Sequence, residues 1–224
     1  MKSALTILLA LLTPLAAFSP VLDLINPRGG QRGTEMEVHF HGDRLEGLEE
    51  ALFYQPGIIF SGVAVKDGKN ATAKFTIAAD AQLGEHSLRL RSPGGLTEVR
   101  SFWVGQFPTV DETEPNANFD QAQRISLNTT VQGIAGNEDD DYYVCSLKKG
   151  QRLSVEVEAM RLGRVMFDAY VAILDPQKFE LGSCDDTPLL RTDAFVSIHA
   201  PEDGDYRIVV REAAYEGNET CQYR

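Results

Sequence analysis

The stretch Thr34–His41, TEMEVHFH, decides the fold because apolar and polar side chains alternate along it without a break. Successive side chains of a β-strand point to opposite faces of a sheet. Met36, Val38 and Phe40 therefore share one face, and the charged and imidazole groups share the other. The pattern predicts a strand with one buried face and one face in water.

Similar short runs recur along the chain, separated by Gly, Pro and Asp turn residues at spacings of about 8–12 residues. The further predicted strands are Ala51–Tyr54, Ile58–Val65, Thr72–Ile77, His86–Arg91, Thr97–Val104, Thr129–Ile134, Tyr142–Leu147, Arg152–Ala159, Ala169–Leu174, Ala194–Ala200 and Tyr206–Arg211. This spacing predicts an all-β chain of two tandem antiparallel β-sandwiches and no long helix.

The pattern lapses between Val104 and Ile125, where an acidic, Asn-rich segment is interpreted as a linker. We place the boundary near residue 107, with one domain at 20–106 and the second at 107–224. The two domains also differ in net charge. The first domain holds nine Lys and Arg against eleven Asp and Glu, and the second holds eleven against twenty-two. A net charge of −12 makes nucleic acid and anionic lipid poor partners and leaves cationic partners and metal ions open.

Residues 1–19 have the features of a secretory signal peptide: Met1 and Lys2, the apolar run Ala4–Leu15, then small residues. A buried N-terminal strand or a membrane anchor is the alternative. No later stretch approaches the ~20 apolar residues of a spanning helix, so we expect a secreted, periplasmic or cell-surface protein without a membrane span.

Three cysteines, Cys145, Cys184 and Cys221, allow at most one disulfide. Cys145 lies within a predicted strand and is expected to be a small buried residue. Cys184 and Cys221 lie in loops or near a strand edge, where they could pair or remain free thiols.

The second half carries motifs in a characteristic order: Glu112-Thr113-Glu114-Pro115-Asn116, Gly133, Asp139-Asp140-Asp141-Tyr142-Tyr143, Gly150-Gln151-Arg152-Leu153 and Pro201-Glu202-Asp203-Gly204-Asp205-Tyr206. This ordered set resembles the bacterial pre-peptidase C-terminal domain. The resemblance implies a non-catalytic, jelly-roll-like sandwich attached to a secreted protein. The family pattern continues into a last strand after the Tyr position, so the closing strand is expected to be cut short at Gln222-Tyr223-Arg224.

The first half opens with Ile25-Asn26-Pro27-Arg28-Gly29-Gly30 and has Gly42-Asp43-Arg44-Leu45 after a strand. These motifs resemble an immunoglobulin-like TIG/IPT module. The tandem order resembles multi-module exported proteins of planctomycete-type bacteria.

Some members of the pre-peptidase family hold calcium at the segment that opens the domain. The resemblance implies ligands at Glu112, Glu114, Asn116, Asp139 and Asp141 in this chain. Pro115 favours an extended Glu114, so Glu112 and Glu114 would face one side, and Asp139 and Asp141 share their spacing. A solvated acidic loop is the alternative interpretation.

The sequence contains no GxSxG, HExxH or P-loop motif, which argues against an enzyme. We predict a non-catalytic binding or spacer module of a larger exported polypeptide, stabilised by calcium, with an extracellular protein or polysaccharide as partner. The alternative is the accessory C-terminal-type region of a secreted peptidase whose catalytic domain lies outside this chain.

Overall fold

The structure is a computed structural model that describes residues 19–163, 165–188 and 190–224. The predicted signal peptide lies outside these residues except for its last position. The described residues form nineteen strands and one short 3-10 helix, Met160–Leu162, and they contain no α-helix. The all-β prediction is confirmed. Within the described part of the chain, no helix has the length and apolar character needed to cross a bilayer.

The first nine strands belong to residues 21–105. They are β1 (Val21–Asn26), β2 (Gly29–Gln31), β3 (Glu35–Asp43), β4 (Glu50–Phe53), β5 (Ile58–Val65), β6 (Asn70–Ile77), β7 (Gly84–Ser92), β8 (Gly95–Leu96) and β9 (Arg100–Gly105). One sheet has the order β1-β3-β6-β5, and the other has the order β2-β9-β7-β4 with β8 paired to β7. The predicted inward face of β3 is seen in the structure, where Val38 and Phe40 are buried.

Phe75 joins the two sheets of this first sandwich. Its ring meets Phe102 of the opposite sheet edge-on at 5.1 Å and Phe53 at the same centroid distance. Edge-to-face pairs of this kind add to the area that the rings bury. Among the described residues, the core around them is built from residues 22–104.

The second set of strands occupies residues 109–223. They are β10 (Thr109–Asp111), β11 (Gln123–Arg124), β12 (Thr130–Ile134), β13 (Asp141–Leu147), β14 (Arg152–Glu156), β15 (Ala169–Leu174), β16 (Glu180–Cys184), β17 (Phe195–His199), β18 (Gly204–Glu212) and β19 (Gln222–Tyr223). A five-stranded sheet, β11-β13-β18-β15-β16, packs against the groups β10-β12-β19 and β14-β17. In the part of the chain that the structure describes, this second core is built from residues 125–223.

Two features differ from the sequence-based expectation. The predicted linker contains β10, which pairs in parallel with β12, because Thr109–Asp111 finds a partner far along the chain that local patterning cannot reveal. The pairs β2–β9 and β11–β13 are also parallel, so the sandwiches are mostly rather than wholly antiparallel.

The two sandwiches meet through the buried side chain of Arg28, which is only 2% exposed. Its Nη2 donates to the Oγ of Ser101 at 3.2 Å and to the carbonyl oxygen of Leu162 in the second sandwich. Its backbone N–H donates to Oε1 of Gln132 at 2.8 Å. Arg28 thus satisfies polar groups from both halves.

The same contact region, which we call the seam, includes an aromatic contact and a closely packed glycine. The guanidinium of Arg161 lies over the ring of Trp103 at 5.6 Å, so the only tryptophan takes part in packing between the sandwiches. An ideal Cβ at Gly29 would lie 2.2 Å from the carbonyl oxygen of Trp103 and 2.7 Å from the guanidinium carbon of Arg224. Only glycine fits where these groups approach so closely.

We expect Arg28→Ala to loosen the seam. The substitution removes the charged donor that Arg28 directs to Ser101 and to the Leu162 carbonyl, and a hydrogen bond from a charged group contributes about 1.5–3 kcal/mol. Ser101 Oγ still donates to the Leu162 carbonyl at 2.9 Å, so that oxygen keeps one partner. The radius of gyration from X-ray scattering should rise, and the free energy of unfolding should fall. Exposed Arg32→Ala is the matched control, and equal scattering curves for the two variants would contradict this role of Arg28.

Candidate metal centre

Asp141 is the first residue of β13 and is fully buried. Alternation along the strand places Asp141, Tyr143 and Cys145 on the same face, which is directed into the second core. The carboxyl group therefore lies at the end of an apolar stripe. Its Oδ1 has no hydrogen-bond partner among the described residues.

Glu112 follows directly after β10 and is fixed through both its backbone and its side chain. Its N–H donates to the carbonyl oxygen of Gln132 at 2.9 Å, which extends the parallel pairing to β12. Its Oε2 accepts the N–H of Ile134 at 3.0 Å. The short strand in the predicted linker thus positions this carboxylate against β12.

The carboxylates of Glu112, Glu114 and Asp141 form one cluster, in which an oxygen from each lies within 4.8 Å of the others. Calcium binds oxygen at about 2.3–2.6 Å, so two ligands of one ion are at most about 5 Å apart. The cluster matches that limit. The residues differ in exposure, since Glu114 is exposed, Glu112 is half-buried and Asp141 is buried.

Asn116 lies beside the cluster and is fully buried. Its Nδ2 donates to Oε1 of Glu112 at 3.0 Å, and its N–H donates to Oε2 of Glu114 at 2.9 Å. Its Oδ1 has no partner within the described part of the chain. A buried amide oxygen without a donor is costly, and a bound cation would satisfy it.

Two tyrosine hydroxyls complete the surroundings of the carboxylates. Tyr143 OH donates to Oε1 of Glu112 at 3.0 Å. Tyr223 OH lies 2.7 Å from Oδ2 of Asp141 and 3.1 Å from Oε1 of Glu112, and the two hydroxyls are hydrogen-bonded to each other. Burial is the main cause that raises the pKa of both phenols, so they remain donors at all physiological pH values.

The cluster holds more negative charge than its surroundings compensate. Burial, followed by the neighbouring Glu112 carboxyl, raises the pKa of Asp141 to about 9. Across residues 19–163, 165–188 and 190–224, no Lys or Arg forms an ion pair with any of the three carboxylates. Either a proton or a cation must supply the missing positive charge. The donor set, all hard oxygen, suits calcium.

Of the five residues expected from the sequence, four lie together and Asp139 lies apart from the three-carboxylate cluster. The Asp139 Oδ2 accepts the N–H of Gly136 at 3.2 Å. Residues two positions apart face the same side only within a strand. Asp139 precedes β13, which begins at Asp141, so this spacing does not place the two side chains on one face. Glu138, with φ of 55°, turns the chain just before Asp139.

The sequence analysis did not assign Tyr143 or Tyr223 to the site. The signal for Tyr143 was present, because it stands two residues after Asp141 in an alternating strand. Tyr223 gave no comparable signal, since β19 reaches the site only through pairing with β12.

The cysteines do not form a second centre. All three are free thiols, with Cys145 and Cys221 buried, so no disulfide joins Cys184 to Cys221. Burial raises the pKa of Cys145 to about 11, which keeps this thiol protonated and unreactive at neutral pH.

No model of a known protein family matches the sequence, and no curated protein matches it. Among solved structures, the chain is similar to the Yersinia pseudotuberculosis adhesin InvE, with 15% identity, 86% of this chain and 51% of that chain covered, and a TM-score of 0.30. It is also similar to the secreted serine protease VesC from Vibrio cholerae, with 11% identity, coverage of 87% and 47%, and a TM-score of 0.30.

A third similar structure is the Escherichia coli adhesin FdeC, with 11% identity, coverage of 92% and 63%, and a TM-score of 0.30. The chain spans about half the length of the first two structures. TM-scores of 0.30 are too low to carry an argument about function.

We expect the metal-free protein to lose stability as the pH rises from about 4 to about 9. In this range an unfolded Asp141 has already lost its proton, with a pKa of about 3.9, whereas the folded protein retains it. Asp141→Asn removes this contribution. The free energy of unfolding is measured by urea unfolding at pH 5 and at pH 8 with EDTA present. Its decrease between these two pH values should be smaller in Asp141→Asn than in the unmodified protein by at least about 1 kcal/mol.

Asp111→Asn is the control for this comparison, because Asp111 is an exposed carboxylate next to Glu112 and lies outside the cluster. It should keep the pH dependence of the unmodified protein. An equal pH dependence in all three proteins would show that the Asp141 carboxyl does not hold its proton in the fold.

Proposed function

We propose that this protein is a non-catalytic binding or spacer module of a larger exported polypeptide and that calcium stabilises it. The acidic cluster is the observation that carries the proposal. Four residues from two distant segments converge on it, and two buried oxygens in it lack a donor among the described residues. A buried site of this kind between strands serves to hold the strands together rather than to turn over a substrate.

The ligands we propose are Glu112, Glu114, Asn116 and Asp141. Calcium bound here would neutralise the three carboxylates and coordinate oxygens that lack a hydrogen-bond donor. Hydrogen bonds within the protein hold two of these ligands in position. Tyr143 and Tyr223 orient Glu112 and Asp141 by hydrogen bonds, and the Ile134 N–H fixes the second oxygen of Glu112.

The seam supports the spacer part of the proposal. Arg28 is buried between the sandwiches and bonds Leu162 of the second one, so the two halves pack directly. A spacer transmits position only when its units are held in a fixed relation.

We further propose that residues 20–106 form a TIG/IPT-type module and residues 107–224 a pre-peptidase C-terminal-like domain, supported by the order of their sequence motifs. The signal-like residues 1–19 support secretion or display at the cell surface. The partner we propose is an extracellular protein or polysaccharide.

The calcium proposal is tested by thermal unfolding of the full chain in EDTA and then in excess calcium. Calcium should raise the melting temperature, because a ligand at 100 times its Kd adds about 2.7 kcal/mol to stability. Glu114→Gln should abolish the rise. This side chain is exposed, and a glutamine oxygen can still accept the Asn116 N–H, so the fold should tolerate the change.

Two carboxylates outside the cluster serve as controls. Asp111→Asn and Asp139→Asn should both keep the full calcium response, because neither belongs to the three-carboxylate cluster. A melting temperature that is identical in EDTA and calcium would remove the metal site, and a lost response in Asp139→Asn would add Asp139 to the ligands.

The binding proposal is tested by incubating the labelled full chain with insoluble extracellular polysaccharides and fibrous proteins. We expect retention on at least one of them without release of soluble products. The Glu114→Gln variant shows whether retention needs the metal site. Soluble products from any polymer would contradict a non-catalytic role, and the absence of retention throughout would contradict a binding role.

A further inference from the structure

The small sheet β10-β12-β19 has one face that is turned towards the first sandwich. Gln222 pairs with Ile134 in the β12–β19 ladder, and Asp111 pairs with Gln132 in the β10–β12 ladder. Paired residues and residues two positions apart share a face of a sheet, so these four side chains lie on one side. Gln132 identifies that side, because its Oε1 accepts the N–H of Arg28 from the first sandwich.

A crevice of about 190 Å³ lies on this face, beside the seam, and residues of both sandwiches line it. Asn26 and Asp111 are exposed and lie at its mouth, whereas Arg28 and Gln222 are buried. Sites for drug-sized ligands have volumes of about 300–1,000 Å³. The crevice is smaller than these sites and suits a single side chain rather than a whole organic ligand.

The buried part of the crevice carries a polar group that lacks a partner. Gln222 is only 7% exposed, and its side-chain Oε1 has no hydrogen-bond partner in the part of the chain that the structure describes. A buried amide oxygen without a donor is costly. A ligand that brings an N–H group to this oxygen would remove that cost.

The charges around the crevice favour a cation over an anion. Asp111 forms no ion pair with any Lys or Arg of the described residues. Glu112, a second acidic residue, also lines the crevice. Arg28 is the positive residue of the lining, and its Nη2 is directed to Ser101 Oγ and to the Leu162 carbonyl oxygen. An anion would meet two acidic residues here and gain one guanidinium that already has partners.

The lining also contains an apolar side chain, that of Ile134, which is exposed and lies opposite Gln222 in the ladder. A ligand with an apolar stem and a cationic head fits this combination, and lysine is such a group. Its ammonium has three donors that can reach separate acceptors, whereas a guanidinium pairs best with one carboxylate through its planar fork. The acceptors in the crevice come from three separate residues: Asn26, Asp111 and Gln222.

We propose that this crevice binds a lysine side chain of a protein partner. The ammonium group donates to the carboxylate of Asp111 and to Oε1 of Gln222, and the methylene stem lies against Ile134. Asn26 adds an amide oxygen at the mouth. The inference rests on the binding part of the proposed function, for which it specifies the chemistry of the partner, and it does not require calcium.

The experiment titrates the full, isotope-labelled chain with lysine that is blocked at both ends of its backbone, Nα-acetyl-lysine methylamide. The side-chain amide resonances of Asn26 and Gln222 should shift and saturate at millimolar concentrations, as expected for a ligand of this size. The titration is run in EDTA and again in excess calcium. Shifts that stay proportional to the probe concentration in both conditions would overturn the proposal.

Three further probes test the chemistry of the ligand. The Nε-acetylated form of the same probe keeps the stem but lacks the charge, and it should not saturate. The corresponding arginine derivative should bind more weakly than the lysine probe. Glucosamine carries an ammonium group on a sugar ring. Equal affinity for the charged and acetylated lysine probes would overturn the proposal, and tighter binding of glucosamine would also overturn it by assigning the crevice to an amino sugar.

Variants of the protein test the two acceptors. Asp111→Asn should weaken the affinity for the lysine probe about tenfold or more, because it removes a charge-assisted hydrogen bond. This carboxylate is exposed, so the fold should tolerate the change. Gln222→Met, which removes the unpartnered oxygen at similar volume, should also weaken binding without lowering the melting temperature.

Asp139→Asn is the matched control, because Asp139 does not line the crevice, and it should bind the probe like the unmodified protein. Equal affinities in Asp111→Asn and Asp139→Asn would contradict the site. The two proposals fail separately. If the chain is retained on extracellular polymers but does not bind the lysine probe, the binding function stands and the crevice is not the contact.

Discussion

The second sandwich is organised around two carboxyl groups, those of Glu112 and Asp141, that are removed from water against the hydroxyls of Tyr143 and Tyr223. Burying charged carboxylates is unfavourable unless a proton or a cation accompanies them. Four strands or their flanking residues contribute to this cluster: β10, β12, β13 and β19. The stability of the contacts between these strands therefore depends on how the charge is neutralised.

This dependence extends to the first sandwich through a single residue. The carbonyl oxygen of Gln132 accepts the N–H of Glu112, and its side-chain oxygen accepts the N–H of Arg28. The acidic cluster and the seam consequently share one residue of β12. A change in the position of Glu112 can reach Arg28 at the seam through Gln132 alone. This is a short physical route for coupling the two regions.

Much of the fold could be predicted from the sequence, because alternation is a local property. The predicted bounds of Ile58–Val65 and Ala169–Leu174 agree with β5 and β15. Elements that depend on distant partners gave no signal in the local pattern. The three-residue β10 and the two-residue β19 are too short to show a pattern, and each is a strand only because β12 pairs with it.

The candidate site shows the same division. Glu112 and Glu114 lie in one cluster, although the chain bends at Glu114 and forms no regular strand there. The i, i+2 spacing does not bring Asp139 into the cluster, because β13 begins two residues later, at Asp141. Sequence spacing describes geometry only inside a regular element, and the ends of elements are where such inference is weakest.

Gly29 has a consequence for the evolution of this chain. A side chain at this position would collide first with the Trp103 carbonyl, which belongs to the same sandwich through the β2–β9 pairing, and then with the Arg224 guanidinium of the second sandwich. Separation of the two halves would relieve only the second of these collisions. The glycine is therefore required by the first sandwich itself, and descendants of this sequence should keep it even where the halves have become independent.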